Sequence, residues 1–247
     1  TPPTFSSVSP TNVNTGDGTG NATFTITGTN IDASVTAKLK TTAGVDVNFD
    51  SVDLSGAMIN NVYFTNSSMN QVDLSNSSIT NTVFNSVDFS GVFFRRANLN
   101  NVYFIGCSFF SSGILDCSVN KNVFIKCDMS GTNFKYTKAE QCKFICNEMQ
   151  SCQMQNIHFS QTDFTDCSLN HSNFTDASMI ICNFSNSNLS NSIMKGNNLT
   201  GSSFFNSSLE NIDISGNNLT GVNFLGANFK NTNFTNNNFS STKTGPL

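Results

Sequence analysis

The chain is poor in charge, at 11% of 247 residues, and has no tryptophan, only four prolines and two histidines. An ordinary soluble domain carries about twice that share of charged residues. The net charge is only -4. A large surface of one sign is therefore excluded, which removes the basic face that nucleic-acid binding demands. It also weighs against a surface that imitates DNA with many carboxylates. No apolar run is long enough to cross a bilayer as a helix, so no membrane span is expected. No signal peptide is visible, and Thr1 in place of Met is expected to mark a processed or trimmed product. Low charge together with 24 phenylalanines argues against disorder.

What is present is a repeat. Asn, Ser and Thr dominate the polar positions, and through them runs one large apolar residue in every five. Phe49, Leu54, Ile59, Phe64, Met69, Leu74 and Ile79 begin a series that reaches Phe234 and Phe239 without a slip, with Ala139 as its one small member. A period of five belongs neither to a helix nor to a flat strand. It requires a chain that turns once per repeat. A second inward position, two residues before the large one, holds small residues such as Ala57, Val72, Ser77 and Thr82. The other three positions are Asn, Asp, Ser, Thr and Gly, which suit turns and water.

Every fourth large position from Phe64 is again Phe: Phe84, Phe104, Phe124, Phe144, Phe164, Phe184, Phe204 and Phe224. A coil built of four repeats would stack these nine rings as a core ladder along one wall, adding aromatic contacts to simple burial. Asn197, Asn217 and Asn237 take the small position one coil apart, where their amides are expected to bond as a ladder.

Segments such as Val52-Asp53-Leu54-Ser55-Gly56, Ala97-Asn98-Leu99-Asn100-Asn101 and Val222-Asn223-Phe224-Leu225-Gly226 resemble the pentapeptide-repeat family. The resemblance implies an all-β fold, a right-handed quadrilateral parallel β-helix over residues 47–241. With four repeats per coil it predicts about ten coils, and a rod about 45–50 Å long at a strand spacing of about 4.8 Å. Some members of that family resemble duplex DNA and bind DNA gyrase, protecting it from quinolones, on strongly acidic rods. Here 13 acids face nine bases within the repeat, so the resemblance makes gyrase only an alternative partner.

Residues 1–46 differ in kind. They hold a Gly-rich turn at Thr15–Gly20 and strand-like runs at Ala22–Thr27 and Val35–Lys40, with Val45–Phe49 as a third. Pro3–Pro10 and Phe24–Asn30 resemble the opening of an immunoglobulin-like IPT/TIG domain. That resemblance implies a surface or extracellular setting. It also leaves open a ligand-binding surface module, a cap on the first coil, or a sheet completed by another chain. At the other end residues 242–247 read as a tail, and the last coil is expected to be bare and open to end-to-end association.

Seven cysteines, Cys107, Cys117, Cys127, Cys142, Cys152, Cys167 and Cys182, occupy the small inward position and read as buried hydrophobes. Cys146 lies at an outward corner beside Lys126 and reads as an incidental surface cysteine, with a reactive thiolate favoured by the nearby ammonium as the alternative. His158 and His171 sit at outward positions without metal-ligand spacing, and no catalytic, metal or cofactor site is expected. Asn-X-Ser/Thr triplets, such as those at Asn188 and Asn198, follow from the repeat. Lys121, Lys126, Lys135, Lys138 and Lys143 make the middle coils locally basic.

Mapped on the four-repeat coil, one outward stripe is apolar. Tyr63, Val83, Tyr103 and Val123 precede the Phe ladder, while Ile105, Ile125 and Ile145 follow it, with Phe205 and Leu225 farther on. Such a patch is expected to be an interface. Phe93 and Phe110 with Arg95 and Arg96, and the pair Ile180–Ile181, are smaller candidates. The sequence thus predicts a non-enzymatic structural or adhesive rod, extracellular or at the cell surface, that self-associates as a filament or oligomer through its ends or this stripe.

Overall fold

In the computed structural model, residues 53–61 and 63–244 are described in full, and the segment before them is described by the backbone of five strands. These are β1 (Thr4–Ser9), β2 (Asn21–Thr23), β3 (Thr25–Thr29), β4 (Lys38–Thr41) and β5 (Val45–Asn48). The expected Gly-rich turn at residues 15–20 lies outside the described residues. Strands β2, β4 and β5 form an antiparallel sheet. β1 had no counterpart among the expected strands. It pairs antiparallel with β3 and parallel with β6 (Met58–Asn60), the first strand of the solenoid. β5 also runs across the expected boundary at residue 46.

From Asp53 to Lys243 the chain winds so that residue n lies beside residue n+20 on every wall. The described residues contain no helix. A chain that closes a coil with every fourth repeat must turn four times, and the backbone shows how. Every position two after a large residue, from Gly56 to Ser241, has φ between 47° and 73°. Gly and Asn dominate these corners because they enter the left-handed region at little cost.

Three-residue strands persist on one wall from Met58–Asn60 to Ser178–Ile180, six turns of the coil. The expectation of about ten coils overstates this strand-bearing part. Farther on the walls continue as single bridges, such as Asn198 with Asn218 and Asn218 with Asn238. The cause is local. On the wall of Tyr63–Thr65, Val83–Asn85, Tyr103–Ile105, Val123–Ile125 and Lys143–Ile145, the residue before the large one is Tyr, Val or Lys. From the next coil it is Asp163, Asn183, Ser203 and Asn223. Their side-chain oxygens accept the N–H groups of Thr165, Ser185, Phe205 and Leu225 at 3.0–3.3 Å. That bond replaces an extended residue with a tight turn. Asn198, Asn218 and Asn238 do the same on the first wall.

The interior is one continuous core of the large and small series. The nine Phe rings stack from coil to coil at 4.6–5.3 Å between centroids and within 19° of parallel. Phe64, at the first coil, is only partly buried. Polar residues at the small position are not wasted. Where a strand precedes the corner, the N–H of the small residue needs an acceptor. Asn122, Asn147 and Ser202 supply it to Val102, Cys127 and Cys182 from one coil on. Asn122 and Asn147 also donate to the carbonyls of Leu99 and Phe124. The backbone pattern continues into the expected tail: Phe224 N–H donates to the carbonyl of Lys243 at 2.7 Å.

Candidate functional site

The two outward columns of the Phe wall are in register. Tyr63, Val83, Tyr103 and Val123 stack beside one another on successive strands, and so do Ile105, Ile125 and Ile145. Tyr63 is 63% exposed, Tyr103 40% and Ile105 36%. Val83, Val123, Ile125 and Ile145 are half-buried between their neighbours. β-branched and aromatic residues favour extended backbone, so the same side chains that make the wall apolar also keep it a true five-stranded sheet. One polar tie crosses it, from Asn85 Nδ2 to the Tyr63 hydroxyl at 3.3 Å. Lys143 ends the first column and Asp163 follows it.

The other candidates are dispersed. Phe205 and Leu225 are exposed on the same wall, separated from the sheet by Thr165 and Ser185. Phe93, Phe110 and Ile181 are each more than half exposed. Ile181 adopts φ 56°, a conformation unfavourable for a β-branched side chain. Arg96 pairs with Asp116 at 3.5 Å on the surface, and Lys195 with Asp213 at the same distance.

All eight cysteines are free, seven of them buried and Cys146 exposed. The buried thiols donate to core carbonyls, as Cys152 does to Met129 and Cys167 to Phe144. Burial pushes the Cys142 thiol up to about 11 and those of Cys117, Cys167 and Cys182 to about 12. They are poor nucleophiles in consequence. Cys146 stands at a corner with φ 54°, in the column of Lys126 and Asp166. His158 and His171 are exposed, and no group of three or more metal-ligating side chains occurs among the described residues.

Asn197, Asn217 and Asn237 do line up, but their amides do not bond one another as expected. Each Oδ1 accepts the backbone N–H one coil back, on Ala177, Asn197 and Asn217 respectively. The ladder runs from side chain to backbone. At the far end Phe224, Phe229, Phe234 and Phe239 line an open apolar cup of about 560 Å³.

The sequence reading missed a second concavity, of about 330 Å³, on the first wall around Ala139. Its polar lining residues are outward-facing and twenty apart in the chain, and no single position in the sequence marks them.

The chain matches the pattern of pentapeptide repeats, in eight copies, over residues 48–85, 77–112, 148–179, 182–216 and 215–243. The chain belongs to the pentapeptide-repeat family. Among solved structures it resembles HetL, a pentapeptide repeat protein involved in heterocyst differentiation regulation from the cyanobacterium Nostoc sp. strain PCC 7120. The TM-score is 0.56 at 17% identity, covering 75% of this chain and 88% of HetL. A looser likeness, with TM-score 0.44 and 17% identity over 77% of this chain and 87% of the other, links it to QnrB1, a plasmid-mediated fluoroquinolone resistance protein. No curated protein matches the sequence. The unmatched stretch 113–147 keeps the family's register, since Val119 still pairs between Leu99 and Ala139.

Proposed function

We propose that this pentapeptide-repeat protein acts without catalysis, as a rod that binds a second copy of itself through the apolar face of its five-stranded wall. The observation that carries this reading is the pair of registered columns, Tyr63–Val83–Tyr103–Val123 and Ile105–Ile125–Ile145. Contiguous exposed apolar rows are uncommon on monomers and mark association surfaces. Their order suits a two-fold axis lying across the wall at the Tyr103–Ile105 strand. That axis sets Tyr103 on Tyr103, Ile105 on Ile105, Val83 against Val123 and Tyr63 against Lys143, where an ammonium meets an aromatic face, while Ile125 and Ile145 cover Asn85 and Thr65 of the other copy. Such a contact closes on itself and gives a dimer. The low charge of the chain and the IPT-like opening support work outside the cell or at its surface.

Light scattering over a concentration series tests the contact. The native chain is expected to approach twice the monomer mass, and Tyr103→Thr with Ile125→Thr, which keep a strand-favouring side chain on the wall, to remain a monomer that melts like the native chain diluted to its monomer. A native chain that stays monomeric at every concentration overturns the proposal.

A further inference from the structure

At several places the outward polar side chains pair with one another from coil to coil. Ser130 bonds Gln150, Asn218 bonds Thr200, and Ser190 bonds Ser208, all within 3.1 Å. Around the concavity at Ala139 opposite charges stand close together without such a pair. The concavity is lined by Ser118, Asn120, Lys138, Glu140, His158 and Ser160 above a floor of Val119 and Ala139. Lys138 and Glu140 carry opposite charges on one strand, yet they form no ion pair with each other or with His158. The Oδ1 atom of Asn120 is buried and accepts no hydrogen bond.

The strand register sorts these groups into two columns. Ser118, Lys138 and His158 stand side by side on neighbouring strands, and so do Asn120, Glu140 and Ser160. The first column offers donors and positive charge. The second offers the Glu140 carboxylate and the Ser160 hydroxyl. Two residues along a strand separate the columns by about 7 Å, and neighbouring strands lie about 4.8 Å apart.

We propose that this depression binds a small zwitterion, an α-amino acid, with its carboxylate toward Lys138 and His158 and its ammonium on Glu140. The column spacing leaves room for one charge-assisted hydrogen bond on each side of a compact ligand that carries both charges. A simple anion would satisfy Lys138 and leave Glu140 unmet. A simple cation would do the reverse.

Titration of the full chain with glycine, followed by amide NMR, is the test. Acetate and ethylammonium serve as probes that each carry one of the two charges. Glycine is expected to saturate in the millimolar range, with shifts confined to residues 118–120, 138–140 and 158–160. Acetate and ethylammonium are each expected to bind at least about tenfold more weakly, the loss of one hydrogen bond to a charged group. Glu140→Gln and Lys138→Met should each weaken glycine by a similar factor. Glu148→Gln, outside the depression, should not. The proposal is overturned if glycine does not saturate, if acetate alone binds equally well, or if neither substitution matters.

Discussion

The first and second halves of the solenoid share one register and differ in backbone. Up to Ile145 the Phe wall is extended. From Asp163 onward the same wall turns tightly around side-chain oxygens. The core scarcely notices, since the Phe rings stack at 4.9 Å across the change, from Phe144 to Phe164. The difference teaches that five-residue winding is held by the core and the left-handed corners, while the residue before each large one selects the wall's form. That selection also decides the surface. Tyr, Val and Ile make an extended, apolar wall, whereas Asp and Asn make a turned, polar one. The proposed dimer face is therefore confined to the first half by the same chemistry that keeps its strands.

On the Phe wall the two halves also meet their buried N–H groups differently. In the first half an extended corner leaves the Cys127 N–H to Asn147, whose amide donates in turn to the Phe124 carbonyl. In the second half the tight turn at Phe184 lets the Ser187 N–H reach the Phe184 carbonyl itself, at 3.2 Å. Asn147→Leu should thus cost about 2–3 kcal/mol, because two buried backbone groups lose their partners. Ser187→Ala removes a hydroxyl that bonds the Phe164 carbonyl and accepts from Cys167 N–H. The Cys167 N–H keeps a turn bond to Phe164, so the expected cost is smaller, about 1 kcal/mol. Chemical denaturation of both variants checks the contrast, and equal costs would break it.

A gain rather than a loss is expected at Ile181. It is an exposed β-branched residue in the left-handed conformation at a corner where most coils place Asn or Gly. Ile181→Asn should raise stability by about 1 kcal/mol, read as a higher melting temperature. Tyr136 occupies a matching corner with φ 62° and serves as the comparison. If neither responds to Asn, corner conformation is not what separates the coils.

The period of five, the four-repeat coil and the stacked Phe series were legible because each rests on one residue type at one spacing. Less legible was the change of wall at Asp163. It depends on whether a single polar side chain folds back on the N–H two residues later, and Asn98 stays extended despite being an Asn. β1 escaped notice because Thr4–Ser9 is bounded by Pro3 and Pro10, and because it pairs with β6, a strand distant in sequence. The proposed zwitterion site was not legible at any one position. Lys138, Glu140 and His158 read singly as a solvated face, and only the n+20 register gathers them with Asn120.

The smallest expected effect separates the halves by acid. Asp53 opens the first described turn, and Asp213 sits in the later coils. Both carboxyls lie below their usual range, chiefly through hydrogen bonds from the side chains of Ser55 and Ser215, with Lys195 adding to the effect at Asp213. A depressed folded-state pKa contributes stability above the unfolded value, 3.8 for these groups. That contribution is lost as pH falls through the folded value. Both carboxylates are largely solvated, so the loss is small. Because Asp213 has the lysine as well as the serine, Asp213→Asn should flatten the melting-temperature profile below pH 4 more than Asp53→Asn does, and raising the salt concentration should shrink only the lysine part. Identical profiles for the two variants, at low salt and high, would show that the Lys195 pair adds nothing to the serine-capped turn.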